Sequence, residues 1–432
     1  MTDYDVVVVG AGPGGLTAAM YTARARLRTA VLEKGRVGGQ AATTEEIENY
    51  PGFPEGTTGP ELMERFAAQA RRFGAEFIRD EALSLSADGM TKVVRGKAGT
   101  YFAKVVILAP GAEPRPLGIK GERALRGKGV SYCATCDADL YTDLDVVIVG
   151  NGDAALEEAI YLARFVNKAS MVVVHDEGVV DATRVIAERA FAEPKLDWVW
   201  NSVLEEIVGD GLVERVRIRN LKTGAAADLP CHGVFIFVGT IPKTGFLKDG
   251  PVELDAQGYI KAGELMETSV DGVYAVGDAR GKYLRQVVTA AGDAATAAVA
   301  AERYVHEEES FRLQVLDQVG PVFVAFWSPA SQEALAFMPV LETFASGHAD
   351  GLRLVKIDTY KNRRMAERYG VQTVPTTLAF AGGRAVARLE GAVSAAALAA
   401  ALQETVGHRA PQGGEPRDAA VRQGELRGPG PG

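Results

Sequence analysis

The sequence predicts an α/β protein in which one nucleotide-binding device is used twice and a smaller α/β pattern follows. Val6-Val-Val-Val-Gly-Ala-Gly-Pro-Gly-Gly15 and Val146-Val-Ile-Val-Gly-Asn-Gly-Asp-Ala-Ala155 share one layout: four apolar strand residues, a G-x-G-x-x-G or G-x-G-x-x-A turn, then a helical pattern. Beyond about residue 302 the pattern restarts, with an expected strand 322–327, a helical stretch 331–346 and a strand 352–357.

The first fingerprint spans Gly10, Gly12, Pro13, Gly14 and Gly15. Its glycines permit a tight turn, let a pyrophosphate approach the backbone and let the helix pack closely on the strand. The phosphate then meets free N–H groups and the positive end of a helix. The next strand ends in Glu33-Lys34, which places an acid where a ribose is held. The second fingerprint keeps Gly150, Gly152 and Ala155, with Asp153 inside it and Glu158 one turn further, so the phosphate layout is retained. Its second strand is expected at 171–175, ending at His175-Asp176-Glu177, where such units read the adenosine ribose. Glycine turns in an ordinary α/β protein are the plain alternative. Two turns in the same strand–turn–helix context outweigh it.

A chain of 432 residues has room for two to four domains. Apolar residues at 47% and charged residues at 24% are an ordinary globular balance. A net charge of −9 argues against nucleic acid or an anionic membrane as partner, since both want a basic face. No apolar run approaches the ~18 residues of a membrane span. Met1-Thr-Asp-Tyr-Asp runs into a strand without a basic region and an apolar signal core, so a cytoplasmic location is expected.

Of three cysteines, two form one C-x-x-C in Gly129-Val-Ser-Tyr-Cys-Ala-Thr-Cys-Asp-Ala138. Cys133 and Cys136 at this spacing can close a small, reversible disulfide, and exchange needs a thiolate. Asp137 follows directly and is placed to move the proton. The competing reading is zinc, which needs four ligands. The third cysteine and the five histidines offer no partnering spacing, so no metal is expected. Cys231, in Leu229-Pro-Cys-His-Gly233, enters a buried-looking strand with no second thiol nearby and reads as structural.

From residue 4 to about 305 the chain resembles the low-molecular-weight, bacterial-type thioredoxin reductases, flavoproteins of the flavin disulfide reductase class. The resemblance rests on the two fingerprints, Gly38-Gly-Gln40, Ile47-Glu-Asn-Tyr-Pro-Gly-Phe53, Cys133-Ala-Thr-Cys-Asp137 and Glu157-Glu-Ala159. It continues through Gly233-Val-Phe-Ile-Phe-Val-Gly239, Thr268-Ser-Val-Asp-Gly-Val-Tyr-Ala-Val-Gly-Asp278, Tyr283-Leu-Arg-Gln286 and Thr289-Ala-Ala-Gly292. It implies two Rossmann-like, three-layer ββα domains: an FAD-binding domain from 1–113 and 247–305, and a nicotinamide-binding domain, 114–246, carrying the dithiol. Gly10, Gly12, Pro13, Gly14 and Gly15 would cradle the FAD pyrophosphate, with Glu33 and Lys34 at the adenosine ribose. Gly39, Gln40 and Asn49 would line the flavin region, Asp278 the ribityl or phosphate side, and Arg285, Gln286 and Val287 the isoalloxazine. Cys136 would face the flavin and Cys133 attack the substrate disulfide. The nucleotide domain would rotate between two poses, the partner would be thioredoxin or a similar small disulfide protein, and the chain would form a homodimer.

Three departures qualify the resemblance. NADPH-using members carry His-Arg-Arg-x-x-x-Arg-Ala where this chain has His175-Asp-Glu-Gly-Val-Val-Asp-Ala182. Like charges at ~4 Å repel by about 4 kcal/mol at an effective dielectric of 20, so NADPH is expected to be disfavoured and NADH preferred. An acid here suits the free 2′-hydroxyl. The second departure lies in residues 312–407, which resemble thioredoxin through Val322-Phe-Val-Ala-Phe-Trp327, Lys356-Ile-Asp358 and Tyr369-Gly-Val-Gln-Thr-Val-Pro-Thr376, with Pro375 placed like the family's cis-proline. Trp327-Ser-Pro-Ala-Ser331 is read as standing where that family has W-C-x-x-C, so both sulfurs are missing. A lesser departure is Pro110 in Ala109-Pro-Gly111, which removes a backbone donor near the FAD edge. Residues 408–432, rich in Pro, Gly, Gln and Arg, are expected to be disordered. The leading expectation is a thioredoxin-disulfide reductase. Alternatives are a flavin disulfide reductase fed by ferredoxin or another donor, an NADH oxidase or peroxide-pathway reductase, and a non-catalytic redox scaffold.

Overall fold

The computed structural model describes residues 3–44, 47, 49–348 and 351–407. The expected disordered tail, 408–432, lies outside the described residues. The chain forms two compact units, Met1–Glu302 and Arg303–Gly432.

In the first unit the opening strand, Tyr4–Val9, is flanked by parallel strands Thr29–Leu32 and Thr100–Leu108 within a seven-stranded sheet. The strands alternate faces, so both faces of this run of valines must be covered. Val7, Val9, Ala30, Leu32, Val106 and Leu108 pack on Leu85 and Val94, which come from the antiparallel strands Ala82–Asp88 and Thr91–Gly96. Val6 and Val8, of opposite parity, are fully buried as well.

The plan is repeated further along. Five parallel strands run in the order Leu196–Val199, Lys168–Val172, Asp145–Val149, Gly233–Ile236, Val130–Ser131. Val146, Ile148, Met171 and Phe235 face helical residues Leu156, Ala159, Leu162, Ala187 and Ala190. Val147, Val149, Val172, Val234 and Ile236 face Leu204, Ile207 and Val216 of a three-stranded antiparallel sheet. Helix, parallel sheet and antiparallel sheet thus make the three layers expected. Ala112–Pro114 and Thr240–Pro242, the segments joining the two sheets, pair antiparallel with each other.

One strand boundary differs from expectation. The strand expected at 171–175 is Lys168–Val172, so His175, Asp176 and Glu177 belong to the loop beyond it. Val173 N–H pairs with the Val199 carbonyl and Ser202 N–H with the Val173 carbonyl, and the chain bends just beyond, at Val174 and His175.

The second unit carries a four-stranded mixed sheet in the order Arg353–Asp358, Val322–Trp327, Thr376–Ala381, Arg384–Glu390. Phe323 and Ala325 face helix Gln332–Ser346 through Phe337 and Leu341, while Val324 and Phe326 face Met365 and Phe380. The Val374–Pro375 peptide is cis. Glu308, almost fully buried, meets Arg368 Nη2 at 2.7 Å and also pairs with Arg364.

Candidate active site

The edge strand Val130–Ser131 delivers a short helical turn, Ala134–Asp137, with Cys133 as its N-cap. Cys133 and Cys136 are joined in a disulfide with Cα atoms 5.3 Å apart. Buried Ser131 fastens the turn: its hydroxyl lies 2.5 Å from Asp137 Oδ2 and accepts the Cys133 N–H at 3.1 Å. Glu158, which sequence spacing placed with the nucleotide phosphates, instead reaches this turn: its Oε2 accepts the Ala134 N–H at 2.8 Å. Burial raises the Glu158 pKa against the lowering effect of those backbone donors. Upstream, the Tyr132 hydroxyl meets Glu122 at 2.6 Å, and Glu122 also accepts the Leu117 and Gly118 N–H groups.

Cys231 is buried, and burial pushes its thiol up to about 12. It is the inert structural cysteine expected. Among the described residues no cluster of His, Cys, Asp and Glu is suited to a metal ion.

The first fingerprint has the geometry its glycines require. Gly10 has φ +100°, and a Cβ there would stand 2.3 Å from the Ala109 carbonyl oxygen. A Cβ on Gly15 would stand 1.8 Å from the Gly10 oxygen, whereas one on Gly12 would meet nothing within 4 Å. The turn is closed at Gly10 and Gly15 and open at Gly12, at the start of helix Pro13–Arg24, where an anion would approach. Glu33 braces this turn, accepting the Ala11 N–H at 2.9 Å and the Gly35 N–H at 2.8 Å. Lys34 points to Glu81 at 3.1 Å. Gly39 approaches the same turn, its Cβ position lying 3.1 Å from Gly12 Cα.

Asp278, Arg285 and Gln286 converge with this turn's unit. Asp278 Oδ1 and Arg285 Nε are buried with no hydrogen-bond partner among the described residues. Burial raises the Asp278 pKa despite nearby Lys282 and Arg285. The Arg285 guanidinium lies 4.6 Å from the centre of the Tyr259 ring. An unpartnered acceptor and donor in a buried place suit a ligand bearing hydroxyl and carbonyl groups. The loop presenting Asp278 is held by Asp293, which accepts the Gly277 N–H at 3.1 Å and pairs with Arg280 at 3.0 Å and Lys282 at 2.7 Å. Asn49 Nδ2 donates to Gln286 Oε1 at 3.3 Å, and Gln286 Nε2 donates to Thr135 Oγ1 at 3.1 Å. Val287 follows directly as the first residue of helix Val287–Phe311, and Gln40 donates to the Ala112 carbonyl. A second link joins the same regions: the Tyr283 hydroxyl meets Glu157 at 2.8 Å.

At the second fingerprint Asn151 Nδ2 is buried and unpartnered among the described residues, and a Cβ on Gly152 would meet nothing within 4 Å. Ala155 Cβ lies 3.0 Å from the Cβ position of Gly150, closing the turn there. The acidic loop folds back onto it: Asp181 N–H bonds the Asn151 carbonyl at 3.0 Å, and Asp153 Oδ1 accepts the Thr183 N–H at 2.5 Å. His175 Nε2 lies 3.1 Å from Asp181 Oδ1, and Glu177 is exposed. Asp176 is not a bare acid. Lys222 pairs with it, and that ammonium holds the Asp176 carboxyl below its ordinary value. Backbone bonds from Leu221 to Asn201 and from Asn201 to His175 bring Lys222 there.

Sequence reasoning missed Lys222, Ser131, Asp293 and Tyr283. Ser131 had a local signal, its place two residues before the dithiol, and Tyr283 one in opening the Tyr283-Leu-Arg-Gln286 motif. The others act across the fold.

In the second unit the dithiol of the first gives a ruler. Cys133 caps its helical turn and Cys136 lies three residues on. The residue capping helix Gln332–Ser346 is Ser331, whose hydroxyl accepts the Ala334 N–H at 3.1 Å and donates to the Val374 carbonyl, ahead of cis Pro375, at 3.3 Å. The positions a redox pair would take are therefore Ser331 and Ala334. This corrects the expected placement within Trp327–Ser331, because Ser328 lies in the loop before the helix. The conclusion about chemistry stands: the unit has no cysteine.

A family profile described as pyridine nucleotide-disulphide oxidoreductase matches residues 4–294, and one described as thioredoxin matches residues 302–404. The chain is 49% identical over 308 residues to a thioredoxin reductase of Peptoclostridium acidaminophilum, covering 70% of this chain and 97% of that one. It is 37% identical over 448 residues to a bifunctional thioredoxin reductase/thioredoxin of Mycobacterium leprae, covering 94% and 97%. Among solved structures it is similar to the thioredoxin reductase of Streptococcus pyogenes, at 42% identity and a TM-score of 0.65, over 70% of this chain and 98% of the other. The chain therefore belongs to the pyridine nucleotide-disulphide oxidoreductase family, within its thioredoxin reductases, and adds a thioredoxin-family unit that has no cysteines.

Proposed function

We propose that this chain moves two electrons from a nicotinamide dinucleotide, NADH in preference to NADPH, through FAD and the Cys133–Cys136 pair to a disulfide of a thioredoxin-type protein. The observation that carries the reading is the convergence of the disulfide with Gln286, beside the unpartnered buried groups of Asp278 and Arg285. FAD fits that place: the open Gly12 face suits its pyrophosphate, Glu33 its ribose, Asp278 its ribityl chain, and Arg285 and Gln286 its ring. When bound, it supplies the two-electron exchange between a hydride donor and a disulfide. Gly150, Gly152, Asp153 and Ala155 would hold the nicotinamide dinucleotide.

Once the pair is reduced, one thiolate attacks the partner's disulfide and displaces one partner sulfur, which takes up a proton. The second cysteine then attacks the mixed disulfide, Cys133–Cys136 closes again, and the partner leaves with two thiols. Asp137, held by Ser131, is placed to supply and receive these protons.

The preference for NADH rests on Asp176, Glu177 and Asp181 around the ribose position. Lys222 neutralises one of the three, which softens the bias against a 2′-phosphate without reversing it. An anaerobic titration of the flavin absorbance with NADH, then NADPH, tests the reading. Bleaching by NADH with NADPH slow supports it. Bleaching by neither turns the search to a ferredoxin-like donor.

A further inference from the structure

The helical turn after Cys133 offers its first N–H groups to whatever lies at its mouth. In a C-x-x-C turn such donors favour a thiolate on the capping cysteine, which makes the pair more acidic and more oxidising. Here they are already engaged: Glu158 Oε2 sits on the Ala134 N–H at 2.8 Å, and Glu158 is bonded to the Thr135 N–H as well. Glu158 stands on helix Asp153–Leu162, which begins at the second fingerprint. The carboxylates around the turn are Glu158, its neighbour Glu157, which is held by the Tyr283 hydroxyl, and Asp137 on the turn itself, held by Ser131. A carboxylate that takes the amides and adds like charge makes a nearby thiolate harder to form.

We propose that Glu158 is a positioning residue that clamps the dithiol turn to the nucleotide helix and keeps the Cys133–Cys136 pair strongly reducing. A strongly reducing pair favours passing electrons on to a partner disulfide, so the inference deepens the proposed function and rests on that pair being the one that exchanges.

The test is equilibrium of the full-length protein with dithiothreitol buffers of set redox ratio, followed by alkylation and mass measurement of the 133–136 segment. In this exchange the protein disulfide breaks to two thiols while dithiothreitol closes its ring disulfide, with two electrons and two protons transferred. Glu158→Gln keeps the size and one accepting oxygen but removes the charge. The expected result is an equilibrium constant shifted about tenfold toward the dithiol, equivalent to roughly 30 mV for a two-electron couple. A shift below about twofold overturns the inference.

Should the variant fail to fold, the pH dependence of iodoacetamide labelling in the reduced wild-type protein decides. Labelling of Cys133 that climbs with pH as in an ordinary free thiol supports the clamp; labelling already maximal at neutral pH overturns it. Neither readout depends on donor or partner. If the wild-type pair does not exchange with thiols at all, the proposed function fails instead.

Discussion

Gln286 Nε2 donates to Thr135 Oγ1 at 3.1 Å, and Thr135 Oγ1 in turn lies 3.4 Å from Cys133 Sγ. Gln286 belongs to the loop beside Asp278 and Arg285, while Thr135 lies between the two cysteines. The bond therefore fastens the redox disulfide to the candidate flavin site. Asn49 extends the chain on the other side of Gln286.

Replacing Gln286 with Leu removes the donor to Thr135 and the acceptor for Asn49. Two ordinary hydrogen bonds contribute together about 1–2 kcal/mol, so the nicotinamide-dependent reduction of a thioredoxin disulfide should slow by about tenfold. Steady-state rates with saturating partner check this; an unchanged rate removes Gln286 from the path.

Asp293→Asn should lower flavin retention although Asp293 lies behind the site. The substitution weakens the grip on Arg280 and Lys282 and loosens the loop that carries Asp278. Flavin per chain, read from visible absorbance after dialysis, should fall relative to wild type. Asp278→Ala should fall at least as far, since it removes the unpartnered acceptor itself.

The second unit should be acid-sensitive through Glu308. Burial alone would raise its pKa, but the hydrogen bond and charge of Arg368, with Arg364, outweigh it and hold the carboxyl below the ordinary value. A depressed native pKa contributes stability above the unfolded carboxylate range, and that stability is lost as pH falls through the native value. Glu308→Gln removes the buried carboxylate that Arg364 and Arg368 share, although Arg364 keeps Glu307, and should cost about 3 kcal/mol. Thermal unfolding of the full chain between neutral and acid pH checks both; a variant as stable as wild type at neutral pH refutes the account.

Thiol labelling should separate the cysteines. After mild reduction, Cys133 and Cys136 should react with a small disulfide reagent in the native protein, while Cys231 reacts only on unfolding. Its thiol, pushed to about 12 by burial, forms almost no thiolate near neutrality. Three fast-reacting thiols in the native protein would contradict the buried placement.

The strand before the acidic loop ends at Val172 and the chain bends at Val174 and His175, and no residue in the valine run announces that. The redox positions of the second unit moved from Ser328 and Ser331 to Ser331 and Ala334 because a helix cap, Ser331, decides where the helix starts. Spacing from Trp327 did not reveal it.

By itself the sequence determined the two glycine fingerprints, the alternating strands that three layers must cover, the C-x-x-C pair and the loss of both sulfurs in the second unit. These follow from contacts between near neighbours: a glycine turn, a strand's two faces, two thiols in one helical turn. Only the tertiary structure decided that Lys222 meets Asp176, that Glu158 serves the dithiol turn, that Asp293 gathers Arg280 and Lys282, and that Gln286 reaches Thr135. Each of these joins residues from different elements. A charge or a hydrogen bond acts through space, and the chain's order carries no trace of which distant side chain folding will bring within 3 Å.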